Sequence, residues 1–101
     1  MNKISNEFLV VKDKNLKTLK QFIPIVNRVH GSNHQEFKDV VLEFDKITAK
    51  IGTNNFELDD EFNKLKEITK NYTVPSGVCE SYEAVYVMLE ALDKAYQSKG
   101  A

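Results

Sequence analysis

The chain has 101 residues, 42% hydrophobic and 29% charged, with a formal net charge of -1. That length supports one domain with a single core, the composition excludes a disordered chain, and the near-zero charge leaves no global field favouring nucleic acid or a membrane surface. The one cysteine, Cys79, excludes an internal disulfide.

The longest apolar runs, Phe8–Val11 and Phe22–Val26, are far too short to span a bilayer, and residues 1–5 are not followed by the apolar stretch of a secretory signal. The expected location is the cytoplasm. Glycines and prolines are few, four and two, which favours long regular elements. The charge is uneven: residues 1–30 carry six Lys/Arg and two acids, whereas residues 31–101 carry eight and thirteen. A basic first helix packed on acidic neighbours would be neutral overall, within the chain or head to tail.

Residues 1–12 contain the short apolar run Phe8-Leu9-Val10-Val11, expected as a short helix or a strap over the core. A first long helix is expected from Asn15 to His30, because Leu16, Leu19, Phe22, Ile23, Val26 and Val29 follow the three-and-four spacing of one helical face. Pro24 lacks an N–H and predicts a kink near residues 20–22; Gly31 then ends the helix. Ser32-Asn33-His34-Gln35 reads as a capping box that starts a second helix at once, with Glu36 and Asp39 favoured near its positive end. Its expected buried face is Phe37, Val40, Val41, Phe44, Ile47 and Ile51, and residues 52–55 close it as a loop.

A third helix is expected from Leu58 to Asn71, acidic at its start and basic at its end, with the stripe Leu58, Phe62, Leu65, Ile68 and Tyr72. The fourth is expected to begin near Thr73-Val74-Pro75, with Thr73 as cap and Pro75 in the first turn. Val78, Tyr82, Val85, Leu89, Leu92 and Tyr96 repeat at 4-3-4-3-4, a heptad-like seam. Gly100 and a polar tail close the chain. Short loops between four amphipathic helices predict an all-α, antiparallel up-down four-helix bundle, a single domain over residues 1–101.

His30 and His34 are the first candidates for chemistry. His30 extends the Ile23/Val26 side of the first helix and His34 the Phe37/Val41 side of the second, so both can face one end of the bundle beside Glu36. Two imidazoles and a carboxylate are donors for zinc or iron. The competing reading is that both histidines cap and hydrogen-bond the turn. Cys79, in the expected first turn of the fourth helix, sits where a helix N-terminus favours a thiolate; with no base beside it in sequence, it reads equally as a small residue flanking the seam. Asp59-Asp60-Glu61 lacks the spacing and glycine of a calcium loop and reads as a solvated helix start. The lysines of residues 12–20 have no interleaved aromatics and read as a solvated face, so nucleic acid is not expected as a partner. No phosphate-cradling glycine loop, Ser-His-Asp set or zinc-finger spacing occurs, and no catalytic residue is assigned.

Two blocks carry a family resemblance. Pro24–Phe37, with Val29-His30-Gly31 and His34-Gln35-Glu36-Phe37 followed by Phe44 and Ile47, resembles the V-H-G-x-x-H-P-E-L segment of the hemerythrin-like repair-of-iron-centres proteins. Leu65–Tyr86 resembles the last helix pair of the same family. The resemblance covers about half the chain, in order. It implies a hemerythrin-like fold and an association with iron–sulfur cluster repair or stress response. It does not carry over the family's di-iron ligands, a set of lone histidines and His-x-x-x-Glu pairs. No His-x-x-x-Glu occurs here; Thr48–Gly52 and Ala95–Ser98 stand where those pairs would fall. His30 and His34 match family positions outside that ligand set.

The expected protein is therefore a short, non-enzymatic binding module without a cofactor. It docks on a protein partner or dimerises, through an apolar flank of the fourth helix at Val87, Met88, Ala91 and Ala95. That flank reads equally as a sign that the helix is simply central. The alternative is a protein binding iron or zinc through His30, His34 and Glu36, with Cys79 or a further carboxylate completing the shell.

Overall fold

The computed structural model describes residues 5–98. It contains four helices, α1 (Asn6–His30), α2 (Glu36–Gly52), α3 (Asp59–Ile68) and α4 (Glu80–Gln97), and no strand among the described residues. None of these helices is long and apolar enough to cross a membrane. Residues 1–4, part of the expected strap, and Gly100, expected to close the chain, lie outside the described residues.

α1 begins nine residues before the expected start, and the strap is its first two turns. Ser5 explains this: its hydroxyl accepts from the Phe8 N–H at 3.0 Å and donates to the Ala95 carbonyl at 3.1 Å. The residue thus caps α1 and ties it to the end of α4. Phe8 is fully buried, edge-on to Tyr96 at 5.6 Å and to Phe56 at 6.4 Å. The helix continues through Pro24, which lies on an exposed side.

The capping box at Ser32 does not form. The His34 N–H donates to the His30 carbonyl at 2.8 Å, and the Phe37 N–H to the His34 carbonyl at 3.0 Å, so the turn satisfies donors that a cap would have taken. α2 starts at Glu36 without a side-chain cap.

α3 ends at Ile68 rather than Asn71. Lys70, Asn71 and Tyr72 all take left-handed backbone, at φ 52°, 61° and 61°. Such conformations cost about 1–2 kcal/mol each for L-residues. The Thr69 hydroxyl bridges the reversal, donating to the Leu65 carbonyl at 2.7 Å and accepting from the Tyr72 N–H at 2.8 Å. The reversal turns the Tyr72 ring inward, where its hydroxyl donates to Asp93 at 2.7 Å.

α4 starts at Glu80, five residues beyond Pro75. Thr73 does not cap it; its hydroxyl donates to the Lys70 carbonyl at 2.7 Å and belongs to the preceding reversal. Gly77, at φ 77°, supplies the left-handed step that delays the helix.

The seam of α4 is the centre of the core. Tyr82, Val85, Leu89, Leu92 and Tyr96 are buried, and Val78 packs against them. α4 meets Phe8 of α1, Phe37 of α2 through Tyr82 at 5.1 Å, and Phe62 of α3 through Tyr96 at 5.1 Å. The extra flank of α4 divides accordingly: Ala95 is buried, Met88 and Ala91 are half-buried, and Val87 is exposed. α1 packs chiefly on α4, and α2 chiefly on α3.

Three carboxylates are buried in this frame, each beside a lysine. Glu43 meets Lys46 at 3.3 Å, Glu61 meets Lys50 at 2.9 Å, and Asp93 lies 3.7 Å from Lys66. The reading of residues 59–61 as a solvated helix start holds for Asp59 and Asp60, which are exposed, but not for Glu61. The Lys50 ammonium lies between the Glu61 carboxylate and the Glu57 carbonyl, and the Glu61 hydrogen bond pushes its pKa up. The lysines of α1 fit the solvated face expected of them: Lys14, Lys17 and Lys20 are exposed, and Lys12 pairs with Asp13 at 3.2 Å.

Candidate functional site at the His30–Cys79 end

One end of the molecule gathers the end of α1, the turn 31–35, the start of α2 and the start of α4. His30 is the last residue of α1 and Cys79 is the N-cap of α4. Their side chains meet: His30 Nε2 lies 3.2 Å from Cys79 Sγ. The thiol residue is exposed and the imidazole half-buried. Cys79 thus has a base beside it, 49 residues away in sequence. It precedes the first turn of α4 rather than lying in it, which leaves its side chain free of the helix backbone.

Tyr82 organises the rest. Its fully buried ring receives His30 edge-on at 5.4 Å and His34 at 5.3 Å. The two imidazole rings are 6.0 Å apart. His34 Nδ1 lies 3.4 Å from the Glu36 carboxylate, and the Tyr82 hydroxyl donates to that same oxygen, Oε2, at 3.0 Å. The Tyr86 hydroxyl lies 3.5 Å from that of Tyr82. Burial first, then the neighbouring Tyr86 hydroxyl and the Glu36 charge, push the Tyr82 pKa well up. Burial does the same for Tyr86. Both phenols therefore stay protonated and act as donors at neutral pH.

The structure thus brings His30, His34 and Glu36 to one end, as their faces predicted. The histidine side chains do not cap the turn; their backbone carbonyls carry its hydrogen bonds. Among the described residues, no group of three or more His, Cys, Asp and Glu side chains is gathered closely enough to hold a metal ion. The arrangement is two linked pairs, Cys79–His30 and Glu36–His34, packed on one tyrosine. A cleft of about 340 Å³ opens beside it, with Glu36 and Tyr86 at one wall and Thr69, Lys70, Thr73 and Pro75 at the other. The left-handed reversal after α3 shapes that second wall.

Gly31 holds the site's geometry. Its backbone is right-handed helical, so conformational freedom is not its role. A Cβ there would collide with the Asn27 carbonyl oxygen and lie 2.9 Å from the Asn27 side-chain oxygen. Gly31→Ala is expected to destabilise the protein by about 1–3 kcal/mol through overpacking against backbone. Thermal unfolding of the variant checks this; an unchanged midpoint would show that the turn relaxes freely.

No protein-family model matches the chain, and no solved structure matches it.

Proposed function

We propose that this chain is a short hemerythrin-like protein, an antiparallel up-down four-helix bundle that lacks the family's di-iron ligands. In this reading it is a cytoplasmic, non-enzymatic binding module associated with iron–sulfur cluster repair or stress response, acting on a protein partner or a second copy. The observation that supports it is where the two resembling blocks fall. The Pro24–Phe37 block and the Leu65–Tyr86 block meet at one end through His30–Cys79 and Glu36–Tyr82, pairs 49 and 46 positions apart in sequence.

A di-iron centre does not fit the donors present. The buried carboxylates that could serve, Glu43, Glu61 and Asp93, are each already beside a lysine ammonium, and a cation there would meet like charge. The reading is tested by elemental analysis of protein purified without a metal-affinity tag from iron-supplemented, low-oxygen culture. Metal well below one per chain is expected. Near-stoichiometric iron would overturn the ligand-free reading. The biological association is tested by deleting the gene: slower recovery of iron–sulfur dehydratase activity after oxidative challenge is expected, and unchanged recovery would count against it.

One observation favours a second reading, a metal-binding end. His30 Nε2 and Cys79 Sγ stand 3.2 Å apart as a pair of zinc-type donors, to which no third ligand is brought close enough among the described residues. Changing both histidines to alanine abolishes zinc or iron retention under this reading and leaves it unchanged under the first.

A further inference from the structure

Cys79 has three properties that the bundle itself does not require. It is exposed, its side chain caps nothing, and a fixed imidazole faces its sulfur. His30 in turn is held in place, its ring edge-on to the buried Tyr82 ring at 88° and 5.4 Å. The pair also joins two helix ends of opposite character. His30 closes α1 and Cys79 is the N-cap of α4, so the approach of the two helix ends fixes the pair. A nucleophile within hydrogen-bond reach of a base, itself held by a third group, is the arrangement that activates thiols.

We propose that Cys79 and His30 form a thiol-modification site that takes small neutral disulfides by thiol–disulfide exchange. Cys79 Sγ attacks one sulfur of the disulfide. The S–S bond breaks, a new S–S bond joins Cys79 to half of the reagent, and the other half leaves as a thiolate. His30 Nε2 takes the Cys79 proton and delivers it to that leaving sulfur, so the products are a mixed disulfide and one free thiol. No outside oxidant is needed beyond the disulfide itself. The chain has no second cysteine, so the adduct has no partner within the chain to resolve it and persists until an external thiol removes it. Glu80 and Glu83 in the first turn of α4 place negative charge near the sulfur, which selects against anionic disulfides. The site does not rest on the function proposed above.

The test uses the whole chain and bis(hydroxyethyl) disulfide, following the adduct by intact-protein mass spectrometry. The native protein is expected to react about tenfold faster than the same chain unfolded in urea at the same pH, and about tenfold faster than His30→Gln. His30→Gln can still hydrogen-bond the sulfur but cannot carry its proton. A native rate no greater than that of the unfolded chain would overturn the proposal, as would an unchanged rate in a folded His30→Gln. Should His30→Gln fail to fold, the native-to-unfolded ratio decides alone.

Discussion

Raising the pH through 10 is expected to unfold this protein cooperatively. All four tyrosines are buried, and three of them, Tyr72, Tyr82 and Tyr86, have phenols whose pKa is pushed above the ordinary value of 10.0. Burial is the largest cause in each case. For Tyr72, the hydrogen bond to the buried Asp93 carboxylate adds to it. The folded state therefore holds its phenolic protons after the unfolded chain has released them. The stability these groups contribute is fully present below the unfolded value and is lost as pH rises above it. Each phenol that stays protonated in the fold lowers stability by about 1.4 kcal/mol per pH unit there, so Tyr72 and Tyr82 together give about 3 kcal/mol per unit, and Tyr86 adds in the same direction. A domain of this size has about 5–15 kcal/mol to lose, and the lower part of that range, about 5–10 kcal/mol, is gone within about two to four pH units. Lys50 adds a contribution of the same sign, because Glu61 raises its pKa. Helical circular dichroism and tyrosinate absorbance should change together in one steep transition. A gradual rise in tyrosinate near pH 10 with helix intact would mean that the phenols are accessible to hydroxide in the fold.

The buried faces were legible because burial imposes a period. Phe37, Val40, Phe44 and Ile47 on α2, and Tyr82, Val85, Leu89, Leu92 and Tyr96 on α4, are buried at the positions that their spacing marked. The helix boundaries were less legible because tertiary partners decide them. Ser5 is an ordinary residue in sequence; it becomes a cap because the Ala95 carbonyl, 90 positions away, lies within reach of its hydroxyl. The end of α3 was misplaced for a similar reason. Helical periodicity runs on to Tyr72, whereas the bond from Tyr72 to Asp93, together with the Thr69 hydroxyl bridge, offsets three left-handed residues.

The site was half legible. His30, His34 and Glu36 lie close together in sequence, so their faces could be extrapolated through one turn. The pairing of Cys79 with His30 could not be found by local spacing, because it depends on the end of α1 lying against the start of α4. The first helix ends where the last begins, and that placement in the fold brings the two residues together. Charge patterning misled at Glu61, which looks like its neighbours Asp59 and Asp60 in sequence. It turns inward to Lys50, whereas they remain in solvent.

Tyr82 is where stability and the site are joined, and two substitutions separate its roles. Tyr82→Ala removes a fully buried ring that packs on Phe37 at 5.1 Å and Tyr86 at 5.1 Å, and it is expected to cost about 3–5 kcal/mol. It also removes the surface against which both imidazoles lie, so His30 loses its fixed approach to Cys79. Tyr82→Phe keeps the ring and gives up the hydroxyl that donates to Glu36 and meets the Tyr86 hydroxyl, with an expected cost of about 1–2 kcal/mol. The thiol reactivity of Cys79 should therefore survive Tyr82→Phe and fall in Tyr82→Ala under conditions where that variant remains folded. Denaturant unfolding measures the stability difference, and the rate of disulfide exchange at Cys79 measures the site. Equal losses of reactivity in both variants would place the hydroxyl, rather than the ring, in control of His30. The Glu36–Tyr82 bond would then be the link between the two pairs.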